Sequence, residues 1–145
     1  MIRIEDTVDV RMPADEAFAY LTDFRNLPQW DPGIAAVTLT SGAEVGEDAR
    51  FDVTALFFGR RVPMRYRVSK YEPNARARHA VLDGESDTVF ATDRITVTEA
   101  KGGARVLWQA EFVLRGPFGL LERVSRPVFA RYARKALDGL RQKLG

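Results

Sequence analysis

Apolar and polar residues along this chain follow two rhythms, and the change of rhythm divides it. Between residues 34 and 115 apolar side chains recur at every second position; from Gly116 to Leu144 they recur every third or fourth. The terminal stretch places Leu121, Val124, Val128, Tyr132, Ala136, Leu140 and Leu144 along one side, flanked by Phe118, Phe129, Ala133 and Leu137. Arg123, Arg126, Arg131, Arg134 and Arg141 fall opposite. This predicts one amphipathic helix, roughly 40 Å long. Pro127 lies inside it, removes a backbone donor and crowds the preceding turn, so a kink or break is expected near Ser125. Such a helix must bury its apolar face, and a sheet is the only partner large enough.

Residues 2–11 alternate imperfectly (Ile2, Ile4, then Val8, Val10) and predict a first strand. Pro13 then opens a helix at the position where a missing N–H costs nothing, with Asp15 and Glu16 in the first turn. Its apolar side is Ala14, Ala17, Phe18 and Leu21, and Asp23 ends it or caps the next turn. The segment FRNLPQW predicts a turn or two of tight helix that delivers Trp30 to the interior, before a turn at Asp31-Pro32-Gly33. Strands come next. Ala35, Val37 and Leu39 lead to a turn at Ser41-Gly42; Phe51, Val53, Ala55 and Phe57 alternate within Arg50 to Phe58. After Gly59, Val62, Met64, Tyr66 and Val68 alternate with Arg61, Arg65 and Arg67. Pro73-Asn74 breaks to a strand from Arg76 to Leu82, and Asp83-Gly84 reads as a two-residue hairpin turn. Thr88 to Glu99 and Arg105 to Arg115 are the last strands, joined at Lys101-Gly102-Gly103. About seven strands joined by short turns predict antiparallel pairing within a single domain of residues 1–145.

Composition narrows this picture only slightly. With 145 residues the chain can bury a sizeable core. It has no cysteine, which excludes disulfides and thiolate chemistry. Arg3, Glu5, Asp6, Asp9 and Arg11 interrupt the first twenty residues, against a signal peptide, and no apolar run reaches the length of a membrane span. A cytoplasmic location is the default expectation. Residues 115–145 carry eight Arg or Lys against Glu122 and Asp138, a net +6 within a chain of net +2. This basic face reads as a solvated outer surface with Arg stems lying along it, and no nucleic-acid partner is expected because no aromatic or glycine residues interleave it.

Four stretches carry a resemblance: PADEAFAYLTDFRNLPQWDPGI, VGEDARF, YRVSKYEPNAR and GGARVLWQAEFVLRGPFG. In this order, covering essentially the whole chain, they resemble the START-like (SRPBCC, Bet v 1-like) superfamily, and within it the polyketide cyclase/dehydrase and lipid-transport group. The resemblance implies an α+β helix-grip fold. In it a curved antiparallel sheet of about seven strands wraps a long C-terminal helix, with two short helices between strands 1 and 2, around a hydrophobic cavity. All four are scaffold motifs, and members of the superfamily include ligand carriers, cyclases, dehydratases, oxygenase domains and chaperone activators, so fold alone selects no function.

Candidate chemistry is sparse. His79 is the only histidine; it shares parity with Ala77 and Val81, and if that face lines the cavity it is a general acid or base. Otherwise it is a hydrogen-bonded strand histidine flanked by Arg76 and Arg78. Asp93 shares parity with Val89, Ala91, Ile95 and Val97, so its carboxylate sits on an apolar face, either paired, near solvent, or with a raised pKa. Tyr66 and Trp108 carry polar handles on apolar parities, and Trp30 is a rim candidate, with Tyr132 facing the same space. Phe51, Val53, Met64, Ala91, Phe112 and Val128 complete the expected ligand wall; plain core is the alternative for all of them. One histidine and no cysteine leave no metal-ligand cluster of standard spacing, no nucleotide-binding glycine motif is present, and no cofactor is expected.

These readings lead to a binding module for a small hydrophobic or aromatic, lipid- or polyketide-like molecule, monomeric or homodimeric. The alternative, with its reaction class supplied by the resemblance, is a cofactor-independent cyclase or dehydratase using His79 or Asp93, with Tyr66 polarising a carbonyl. A third is a membrane-associated lipid- or quinone-binding protein that sets its basic helix face on anionic headgroups.

Overall fold

The period-two stretches become seven strands in the computed structural model, which describes residues 1–41, 44–57 and 59–145. They are β1 (Ile2–Val10), β2 (Ile34–Leu39), β3 (Arg50–Phe57), β4 (Arg60–Glu72), β5 (Arg78–Glu85), β6 (Val89–Ala100) and β7 (Gly103–Leu114). They lie in the order β1-β7-β6-β5-β4-β3-β2, every neighbouring pair antiparallel. Alternation sorts the faces. Val53, Met64, Tyr66, Val68, Leu82, Ala91, Ile95, Val97, Val106 and Trp108 are buried, while Arg61, Arg65 and Arg67 point to solvent.

Between β1 and β2 lie helix α1 (Ala14–Thr22) and a short 3₁₀ helix, Phe24–Gln29. The expected apolar side of α1, Ala14, Ala17, Phe18 and Leu21, is buried, and the helix packs on β5, β6 and β7. Asp23 serves both expected roles: it ends α1, and its carboxylate accepts from Arg25 N at 3.1 Å to start the next turn. Trp30 then enters the interior, 6% exposed.

After β7 the chain does not enter one long helix. Gly116–Leu121 is a 3₁₀ turn, and α2 runs from Glu122 to Leu144. The break expected near Ser125 is absent, because α2 continues through Pro127; the change of helix type falls a turn earlier, at Leu121. Pro117, at the start of the 3₁₀ turn, suits that position. The inward face of α2 also differs from the expected one. Val124 is 70% exposed, while Phe129, Leu137 and Leu140 are buried, so the inward face follows Ser125, Phe129, Tyr132, Ala136 and Leu137.

The C-terminal half of α2 is clamped. Arg11 N donates to Leu144 O at 3.0 Å, and Arg141 bonds Asp6 Oδ2 at 2.8 Å and Thr7 O at 3.1 Å. Gly139 lies so near the loop after the 3₁₀ helix that a Cβ there would collide with Trp30 O.

One expected turn lies elsewhere. Asp83 and Gly84 are not a hairpin turn but belong to β5, opposite Thr92 and Ala91. A Cβ on Gly84 would meet the Tyr66 ring at 2.5 Å, so this glycine makes room for an aromatic side chain on β4. The hairpin instead turns at Ser86, whose Oγ accepts from Val89 N at 3.2 Å. Of the other expected turns, Gly42 lies outside the described residues, as does Phe58 at the end of the third predicted strand.

Gly139→Ala should lower stability by about 3 kcal/mol or more, because a methyl group cannot share space with a backbone oxygen. Urea unfolding followed by circular dichroism measures this, and a midpoint equal to wild type would show that the Trp30 loop yields freely.

Candidate functional site

The C-terminal half of α2 packs close against β1 and the Trp30 loop, its N-terminal half stands on aromatic rings, and the difference leaves a space. A cavity of about 420 Å³ lies between the concave face of the sheet and α2. Its walls are almost wholly apolar, drawn from every layer: Phe24 and Leu27, Val53 and Phe57, Val62 and Met64, Ala110 and Phe112, Phe129 and Ala136. At one end it reaches the surface beside Phe118 and Leu121, which are 43% and 49% exposed. Near the α2 side, Phe57 stacks on Tyr132 with ring centroids 4.8 Å apart and meets Phe129 at 5.1 Å.

Ionisable groups also reach the cavity wall. Asp93 on β6 is 9% exposed, and its Oδ1 accepts from Trp108 Nε1 on β7 at 3.1 Å. Burial pushes its pKa up to about 6; the Trp108 N–H opposes that rise and the negative charge of Asp31 adds to it. The Tyr66 hydroxyl interacts with the same carboxylate and holds it down somewhat. Tyr66 itself is pushed well above its ordinary value, by burial first and then by the charges of Asp93 and Asp31. Asp31 also lines the cavity; desolvation lifts it to about 6, although Gly33 N donates to its Oδ1 at 2.8 Å. Trp30 packs edge-to-face on Trp108, centroids 5.4 Å apart, and its buried Nε1 has no hydrogen-bond partner among the described residues. Among those residues, too, no Lys, Arg or His lines this cavity.

Of the residues singled out from the sequence, Trp30, Val53, Met64, Tyr66, Asp93, Trp108, Phe112 and Tyr132 line the cavity. Four do not. His79 is on the outer face, because Ala80 and Leu82 take the inward parity of β5 with no exposure at all. Its Nδ1 lies 2.9 Å from Thr96 Oγ1, and burial, with Lys70 and Arg94 nearby, holds its pKa below the ordinary value. It is the hydrogen-bonded strand histidine, remote from the cavity's chemistry. Phe51 and Ala91 have the expected parity but are sealed in the core, Phe51 beneath the Phe24 ring at 5.8 Å. Val128 misses because the face of α2 is rotated toward Phe129.

Asp31 is a site residue that sequence reasoning misses. In the sequence it belongs to an Asp-Pro-Gly turn, and only its place beside Trp30 hints at more. Phe24, Leu27, Phe57 and Phe129 likewise read as scaffold in the sequence and prove to be wall. Among the described residues no group of three or more His, Asp or Glu side chains is placed to hold a metal ion.

The whole chain, residues 1–145, matches the model of the family described as polyketide cyclase / dehydrase and lipid transport. The chain belongs to that family. Similar solved structures include a Thermus thermophilus protein at 17% identity and TM-score 0.76, covering 97% of this chain and 94% of that one. A START superfamily protein from Mycobacterium smegmatis is 15% identical with TM-score 0.75, covering 98% and 96%. The Zhui aromatase/cyclase from Streptomyces sp. R1128 is 16% identical with TM-score 0.75, covering 97% and 92%. At such identities the likeness shows the helix-grip fold alone. None of the curated proteins matches the chain. Family and fold are consistent with hydrophobic-ligand binding or a cyclase-type role. Among the described residues no helix is long and apolar enough to cross a membrane.

The raised carboxylate makes a stability prediction. Asp93 titrates at about 6 when folded against 3.8 when free, so the folded protein holds the proton more tightly between those values. Stability is therefore lost as pH rises through that window, by about 3 kcal/mol for a shift of this size. Asp93→Asn keeps the acceptor for Trp108 without the charge. It should melt higher than wild type at about pH 8 and lose that advantage near about pH 4. Thermal unfolding of both proteins across pH checks this, and comparison with wild type cancels the opposite contribution of His79.

Proposed function

We propose that this family member binds a small hydrophobic or aromatic molecule in the cavity between the sheet and α2. The observation that carries this reading is the cavity itself: about 420 Å³ of apolar-walled space into which Asp31, Tyr66 and Asp93 bring polar groups. An unfilled interior of that size forfeits packing that a folded chain normally makes, and it falls in the range of small-molecule sites. An apolar guest restores those contacts. Its flat aromatic lining, Phe57, Phe112, Phe129 and Tyr132 among others, suits a planar or chain-like body.

A second reading, a cyclase or dehydratase, is favoured by one observation, the Asp93 carboxylate with its pKa raised to about 6. A buried acid titrating there can give or take a proton near neutral pH, and Tyr66 beside it supplies a hydroxyl to a carbonyl oxygen. His79 has no part in it. Asp93 and Tyr66 are the groups of this chain that would touch a substrate.

Native mass spectrometry of the purified protein, with extraction of whatever co-purifies, tests the first reading; an apolar adduct at one per chain is the expected result. Both tryptophans line the cavity, so intrinsic fluorescence should respond to the guest. Ala136→Phe, which grows a ring into the space from α2, should keep the fold and reduce guest affinity at least tenfold, about 1.4 kcal/mol. Undiminished binding in that variant would place the guest elsewhere. Turnover of an aromatic polyketide by wild type but not by Asp93→Asn would favour the second reading.

A further inference from the structure

We infer that the buried end of this cavity recognises a hydroxyl group on an aromatic ligand and turns away a carboxylate. The inference rests on the cavity being a ligand site and adds the chemistry of the ligand's polar end. It comes from an account of donors and acceptors. Trp108 Nε1 is already committed to Asp93 Oδ1, and Gly33 N to Asp31 Oδ1. The Tyr66 hydroxyl is engaged with Asp93. Trp30 Nε1 remains a donor, buried and with no partner among the described residues. Acceptor capacity remains on both carboxylates, each of which has an oxygen beyond the one bonded. Lone donors and acceptors buried beside apolar walls are costly unless something answers them.

A hydroxyl answers both. Its oxygen accepts from Trp30 Nε1, and its hydrogen donates to Asp93 or Asp31. A carboxylate would accept from Trp30 but bring a third negative charge to two others, in a cavity with no Lys, Arg or His on its walls among the described residues. An ammonium group would satisfy the carboxylates but leave Trp30 Nε1 without an acceptor. A bare hydrocarbon would answer neither. The rings around these groups favour a flat body: Trp30 lies edge-on to Trp108, and Phe24 edge-on to Tyr66 with centroids 5.2 Å apart.

Calorimetric titration of the whole protein with four ligands sharing one ring system tests this: naphthalene, naphthol, naphthoate and naphthylmethylamine. Naphthol should bind at least tenfold more tightly than naphthoate and several-fold more tightly than naphthalene or the amine. Trp30→Phe keeps a ring and removes the N–H; it should bring naphthol toward the affinity of naphthalene. The pair Asp31→Asn and Asp93→Asn removes both charges, and naphthoate should gain at least tenfold while naphthalene is unchanged. Naphthoate or the amine binding as well as naphthol in wild type would overturn the head-group assignment while leaving the cavity reading intact. An unchanged naphthol-to-naphthoate ratio in the Asn pair would do the same. Failure of all four, naphthalene included, would overturn the cavity reading and this inference with it.

Discussion

The structure depends on how closely α2 is allowed to approach the rest of the chain. At its C-terminal half the approach is backbone to backbone: Gly139 has no side chain to hold Trp30 O away, and Leu137 and Leu140 bury themselves there. Arg141 and the Leu144 carbonyl then tie the helix to β1 and the residue after it. At the N-terminal half, larger residues intervene. Phe129 and Tyr132 stand against Phe57 and Phe112, and these rings prop the helix off the sheet. A helix held close at one end and propped at the other leaves a wedge. The cavity is that wedge.

The wedge places unlike chemistries at its two ends. Toward the 3₁₀ turn at Gly116–Leu121 it meets solvent among apolar residues, while the deep end is made by two tryptophans, a tyrosine and two carboxylates. A buried acid, Asp93, and a partly buried one, Asp31, on walls that carry no cation among the described residues cost stability, since each raises the pKa of groups around it and both resist ionisation. A sheet face made only of Val, Ile and Phe would cost nothing of the kind. Burial of this sort, beside an indole N–H with no partner among the described residues, lowers the stability of the fold along this wall of the cavity.

The sequence alone determined most of the strands and helices, because these rest on local and periodic signals, while their helix-grip assembly came from the resemblance. Period-two alternation marked the strands, the Pro13 start and the Asp23 cap bounded α1, and helical spacing marked the terminal helix as the element in need of a partner. Parity was enough to turn Tyr66, Asp93 and Trp108 to the concave face. It failed where one local signal served another purpose. Asp83-Gly84 has the composition of a turn, yet Gly84 is there to admit the Tyr66 ring from a neighbouring strand.

Tertiary structure alone decided which inward residues face empty space and which are sealed. Phe51 and Val53 are two residues apart on one face of β3, but Phe24 covers the first and leaves the second on the cavity wall. The sequence put His79 on one face of its strand with Ala77 and Val81 without deciding whether that face lines the cavity; burial of Ala80 against Ile95 turned it outward. The phase of α2 was set by its packing, which brought Phe129 against Phe57 and Phe112 and left Val128 off the cavity wall. Asp31 entered the site only because a loop distant in sequence from β6 folds back over it. Periodicity records which side of an element is apolar. Whether that side meets a neighbour, a cavity or a charge depends on distances between elements, and those exist only once the chain has closed on itself.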